Sequence, residues 1–184
     1  MGIELVEYRP EMEQWYVYIF NEGFSGWDTS FQTKRSAHPG TAVKTFLARL
    51  DSLCVGLIDL VFREDEGEPS LMVDPLGVLP EYRRHGIGKK LVDTAATWAL
   101  DNGYGRIYAV LQSGEPRLHK FYRNSGFRQI AFRLVISKED QKLEVTPEEY
   151  NEKHLDWTIR HFAYYYMRPL APQFAANQTW DILK

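Results

Sequence analysis

The sequence predicts an α/β fold of the α+β kind: a mixed central β-sheet of about six to seven strands flanked by helices, in one domain spanning residues 1–184. Three observations carry that prediction. Apolar runs fall in the order β-α-β-β-β-α-β-α-β, too few αβ units for a doubly wound sheet and too many helices for a sandwich. Two of those runs, 44–50 and 53–63, are joined by Asp51-Ser52, as a tight hairpin requires. At 184 residues with 44% hydrophobic content, the chain is long enough to bury a core without disulfide or metal staples.

Taken in order, residues 3 to 8 set Ile3, Leu5 and Tyr8 against Glu4 and Glu7 and read as a short strand. Pro10, with Glu11 and Glu13, opens a helix that carries Trp15, Tyr16, Tyr18, Ile19 and Phe20. Gly23 to Thr41 is a long polar connection with a His38-Pro39-Gly40 turn, where substrate contacts are expected. After the hairpin and an acidic tip at Glu64 to Glu68, residues 70–78 form a strand made irregular by Pro75 and Gly77, because proline lacks a ladder donor. A helix runs from about Gly86 to Asn102, with Ile87, Leu91, Ala95 and Trp98 on one face. The strand 106–111, a Ser113-Gly114 turn, a helix from Glu115 to Asn124 and a strand from Phe127 to Ile136 follow. In the tail, Thr146-Pro147-Glu148-Glu149 starts a helix through His154, and Trp157 to Met167 reads as a strand.

Charge and cysteine usage narrow the function. With 22 basic and 25 acidic side chains the net charge is −3, which gives neither nucleic acid nor an anionic membrane an electrostatic reason to bind. Cys54 stands alone, so there is no intrachain disulfide and no thiolate metal cluster; a small buried hydrophobe in a reducing compartment is the expectation. The first ten residues lack the order of a signal peptide and no apolar run is long enough to span a bilayer, so the expected location is the cytoplasm. His38, His154 and His161 lack partners at ligand spacing, and no metal is expected.

The chemistry concentrates in Val78-Leu79-Pro80-Glu81-Tyr82-Arg83-Arg84-His85-Gly86-Ile87-Gly88-Lys89-Lys90. A strand ends, a turn follows, and two glycines sit on the first turn of a helix, where backbone N–H groups have no partner and the dipole is positive. Such a segment binds an anion. Gly86 and Gly88 let a phosphate reach the backbone around Ile87, Arg83, Arg84, Lys89 and Lys90 add countercharge, and His85 contributes its backbone rather than its ring. Lys89 is followed by Lys90 and not by a hydroxyl residue, so this is no Walker loop, and Leu91 fills the place of the small third residue of a dinucleotide fingerprint.

What Arg83, Gly86 and Gly88 resemble, following Val78-Leu79-Pro80, is the acyl-CoA loop of the GNAT family of N-acetyltransferases: Arg or Gln, two residues, Gly, one residue, then Gly or Ala. A second match stands one strand downstream, where Phe121-Tyr122-Arg123-Asn124-Ser125-Gly126-Phe127 is similar to the family's Phe-Tyr-x-x-x-Gly-Phe helix end. The resemblance covers about 44–136, leaving 137–184 as an extension. It implies the GNAT fold and transfer of acetyl from acetyl-CoA to a primary amine, of a small molecule or of a peptide, with no covalent enzyme intermediate. The other reading from the same residues is an acyl-CoA-binding sensor that turns nothing over. Homodimerisation, common in that family, is compatible with the aromatic tail.

The reaction makes three demands. An oxyanion needs a fixed donor, which the irregular strand can supply from an N–H at Leu76, Gly77 or Val78. The leaving thiolate needs a proton, and the resemblance assigns that role to Tyr122. The arriving ammonium must lose one, to Asp74, to Asp59, or to water. Glu115 and Leu118 occupy the cofactor-contacting positions where the family has Asn and Ala. Acceptor determinants are expected within 20–42 and after 137.

Overall fold

The computed structural model describes residues 2–24, 43–65, 68–112 and 116–171. Strand β1 (Ile3–Glu7) lies antiparallel to β2 (Val43–Leu50), and β2 returns through a turn in which Asp51 takes a φ of 55° to β3 (Leu53–Asp65). β4 (Glu68–Val78) continues the meander, and β5 (Arg106–Leu111) joins it in parallel. The strand order is β1-β2-β3-β4-β5-β8-β6-β7: β8 (Thr158–Pro169) is inserted between β5 and β6 (Arg128–Lys138), and β7 (Gln141–Val145) forms the edge.

The sheet thus has 8 strands, more than the six to seven the sequence suggests. β7 is the additional one. It is only 5 residues long, pairs from Gln141 opposite Lys138 to Val145 opposite Leu134, and offers just Leu143 and Val145 as apolar residues, too few for a periodic signal.

Helix α1 (Glu13–Gly23) buries Tyr16, Ile19 and Phe20, and α2 (Ile87–Asp101) buries Ile87, Leu91, Ala95 and Ala99, each set at helical spacing. The helix expected from Pro10 begins instead with a 3₁₀ turn, Pro10–Met12. α3 (Pro116–Asn124) ends at Gly126, whose φ of 85° suits glycine, and α4 (Pro147–Lys153) is capped reciprocally by Thr146 and Glu149.

α1 and α2 cover opposite faces. A Cβ on Gly56 of β3 would lie 3.1 Å from Leu91 and 3.2 Å from Ile87 of α2, whereas Asp59, three residues on and of opposite parity, is bonded by Tyr16 of α1. α3 shares the α2 face, since β8 there presents Tyr166 to Tyr122 and Arg168 to Asp93 of α2.

The opening that positions the site lies between β4 and β5. Their pairing covers only Leu71–Val73 against Ile107–Ala109, although β4 runs on to Val78. On its other edge β4 is also interrupted: Leu60 opposes Val73 and Ile58 opposes Leu76, so Asp74 and Pro75 together face Asp59. One extra residue there is a bulge, which the Pro75 and Gly77 content of the strand led us to expect.

Candidate active site

Beyond Pro80–Tyr82, a 3₁₀ turn, Arg84 takes a φ of 68° and Gly86 one of 79° before α2 begins. Among the described residues the backbone N–H groups from Arg84 to Lys89 make no hydrogen bond; the first internal one is Lys90 N–H to the Gly86 carbonyl at 3.0 Å. Six consecutive amides at a helix start are therefore available to an anion. They border a cavity of about 270 Å³ lined by Val78, Tyr82, Arg83, Arg84, Gly86, Ile87, Gly88, Lys89, Phe121, Asn124 and Ser125.

The two glycines serve different ends. At Gly86 an added Cβ would meet nothing within 4 Å, so it is the left-handed backbone that requires glycine. At Gly88 a Cβ would stand 3.2 Å from the Phe121 ring, so glycine here lets the first turn of α2 approach α3.

The basic residues are less uniform than their spacing suggests. Arg84 and Lys90 are exposed beside the loop. Lys89 instead pairs with Asp93 one turn along at 2.5 Å, and Arg168 of β8 bonds the other oxygen of Asp93 at 2.8 Å. Desolvation pushes the Asp93 carboxyl up, but the hydrogen bonds from Lys89 and Arg168 outweigh it and hold the group below the usual carboxylate range. Arg83 donates from Nε to the Val78 carbonyl and from Nη2 to that of Gly23, both at 2.9 Å. Its fork thus holds backbone rather than standing as loose countercharge. The ring of His85 lies 3.3 Å from the Tyr82 carbonyl and is exposed.

The end of β4 leads from the loop into the opening. Leu79 N–H donates to the Val55 carbonyl at 2.9 Å, on the β3 side. Because N–H groups alternate between strand edges, that of Gly77 shares the β3 side, and those of Leu76 and Val78 face the edge from which β5 has parted. Of the three donors the sequence leaves open, Leu76 and Val78 point the right way.

Tyr122 lies on α3, 7% exposed, edge-on to Phe121 and Phe127 with ring centroids 5.2 Å apart and stacked on Tyr166 at 5.9 Å. Burial, and after it the charge of Asp74, pushes its phenol well above the ordinary tyrosine range. Asp74 of the β4 bulge thus lies within electrostatic reach of Tyr122. Asp59 is placed otherwise: 2% exposed, it accepts from Tyr16 at 2.7 Å and from Thr45 at 2.5 Å, a core polar network beneath α1. Leu118 is half-buried against the core, and Glu115 lies outside the described residues. Cys54 is buried in β3, where desolvation raises its thiol above the usual range. Among the described residues there is no group of three or more His, Cys, Asp or Glu side chains that could hold a metal, and no helix long and apolar enough to cross a membrane.

Sequence reasoning missed one pair. His119 Nδ1 lies 2.6 Å from the Tyr166 hydroxyl, and the His119 ring stands edge-on to Tyr164 at 4.6 Å. The i, i+3 spacing of His119 and Tyr122 marks one helix face, but only insertion of β8 beside β5 brings Tyr166 under it.

The model of the acetyltransferase (GNAT) family matches residues 7–127. No curated protein matches the chain by sequence. Among solved structures, the fold is similar to the ribosomal-protein-S18-alanine N-acetyltransferase from Escherichia coli, with a TM-score of 0.67 and 12% identity over 92% of this chain and 95% of that one. It is similar to Arabidopsis thaliana Naa50 in complex with the bisubstrate analogue CoA-Ac-MVNAL, with a TM-score of 0.61 and 20% identity over 91% and 99%. A GNAT family acetyltransferase from Elizabethkingia anophelis with acetyl-CoA bound gives a TM-score of 0.62 and 14% identity over 91% and 97%. At these identities the likeness is one of fold.

Proposed function

This chain belongs to the acetyltransferase (GNAT) family, and on that premise we propose that it moves an acetyl group from acetyl-CoA to a primary amine, of a small molecule or of a peptide, by direct transfer. The observation that carries the proposal is the run of available amides from Arg84 to Lys89 around two glycines at the head of α2. A diphosphate is the anion that such a row of N–H groups fits. Support for the donor also comes from the solved relatives of this fold that hold a CoA-based bisubstrate analogue or acetyl-CoA.

The diphosphate of CoA lies on the amides of residues 84–89, and the thioester enters the opening between β4 and β5. The amine nitrogen attacks the thioester carbonyl carbon, and the oxygen takes up negative charge opposite the N–H of Leu76 or Val78. When the intermediate collapses, the C–S bond breaks and the sulfur leaves as a thiolate. Tyr122 gives it the phenolic proton, and the second proton of the attacking nitrogen, lost as the intermediate becomes the amide, returns the phenol to its protonated form. A phenol pushed upward is a weaker acid, but the same dry surroundings raise the proton affinity of a thiolate beside it, so the two stay matched. Asp74 takes the proton that the ammonium must lose and passes it to solvent.

The test is release of free thiol from acetyl-CoA across a panel of small and peptide amines. We expect thiol release that depends on one class of amine, with one amide formed per thiol. Tight CoA binding with no release under any acceptor contradicts the proposal and favours a silent acyl-CoA sensor.

A further inference from the structure

Arg83 opens the loop motif, yet its guanidinium is tied to the ends of two other elements: Val78 is the last residue of β4 and Gly23 the last of α1. We propose that Arg83 is a positioning residue that couples the CoA loop to the end of α1, so that binding of CoA orders the turn from which the chain enters residues 25–42. This inference rests on the proposed reading of the loop as the CoA site.

Three features carry it. The last carbonyls of a helix have no intrahelical donor and sit at the negative end of its dipole, so a cation bearing two N–H groups is the partner Gly23 calls for. The planar fork of arginine reaches two acceptors at once, which a lysine ammonium does not reproduce. The two ends that it holds are in contact with each other. A Cβ on Gly77 would fall 2.9 Å from the Phe24 ring, and one on Gly23 would lie 3.9 Å from Gly77 Cα and from Val78 N and O.

The end of α1 therefore rests on the strand assigned to the thioester, and the clasp that holds it is one residue from the first available loop amide. Whatever fixes residues 84–89 also fixes the backbone of Arg83 and, through its side chain, Gly23. By linkage the effect is reciprocal: a ligand that orders the end of α1 tightens CoA binding.

Hydrogen exchange with CoA as the probe tests this. In the unmodified protein we expect saturating CoA to slow exchange both in residues 84–89 and in Phe20–Phe24, the latter by about fivefold or more. In Arg83→Lys the loop should keep its protection while Phe20–Phe24 lose theirs, with a thermal melt of the variant checking that it is folded. A merely structural Arg83 would alter exchange of α1 equally with and without CoA. Slowing of the loop without slowing of α1 in the unmodified protein overturns the inference, as does equal slowing of α1 in Arg83→Lys. Protection of neither segment overturns the CoA assignment itself, and this inference with it.

Discussion

Tyr122 combines two properties that rarely meet in one side chain: it is packed like a core residue, and its surroundings resist its ionisation. Replacing it by phenylalanine keeps the contacts with Phe127 and Tyr166 and removes the phenolic proton that the proposed mechanism gives to the thiolate. We therefore expect kcat of Tyr122→Phe to fall by roughly 100-fold or more, with KM for acetyl-CoA nearly unchanged, in steady-state thiol-release assays. The sign of the pH dependence follows from the direction of the shift. A phenol held above its ordinary value of about 10 stays a donor throughout the neutral range, so an alkaline loss of rate below about pH 9 does not arise from Tyr122. The place of Tyr122 near the end of α3 was legible in the sequence because Phe-Tyr-x-x-x-Gly-Phe is a local pattern. The Arg83 clasp was not, since Gly23 lies 60 residues away and nothing local marks a carbonyl as its partner. Nor did the spacing of Lys89 reveal that Asp93 holds it.

At the scale of the element, the first turn of α2 is anchored by the Lys89, Asp93 and Arg168 group, which also reaches β8. Asp93 is held below its ordinary range on folding. A carboxyl lowered in this way contributes stability that is complete above its unfolded value of about 3.9 and is lost as pH falls through the folded value. The group is partly exposed, so the effect is modest. We expect the unmodified protein to melt a few degrees above Asp93→Asn at pH 6, with the gap closing as pH drops below about 4. A gap that persists unchanged at pH 3 contradicts that role. Elements with strong internal signals were read correctly from sequence: α2 from its apolar spacing, α4 from its capping box, and the β2–β3 hairpin from Asp51-Ser52. β7 escaped because a short edge strand with one covered face needs few apolar residues.

For the whole molecule, element order was enough to indicate a mixed sheet flanked by helices, but not the order of its strands. Placement of β8 between β5 and β6 is a long-range choice, and it sets Tyr166 against Tyr122 and Tyr164 against His119. The separation of β4 from β5 was foreshadowed by Pro75 and Gly77, and the bulge that Asp74 and Pro75 form lies at that separation. The fold thus places a loop rich in available amides at the end of the strand that borders the opening, and packs the Tyr122 phenol on the helix that follows β5. Titration of CoA into the protein, followed through the backbone amide resonances and repeated on Gly88→Val, examines this arrangement at its foundation. We expect the N–H signals of residues 84–89 to shift on saturation in the unmodified protein, and affinity to fall by about tenfold or more in the variant, where a branched side chain meets Phe121 and covers the amides. CoA that binds with those six signals unmoved, or equally well to Gly88→Val, contradicts the assignment.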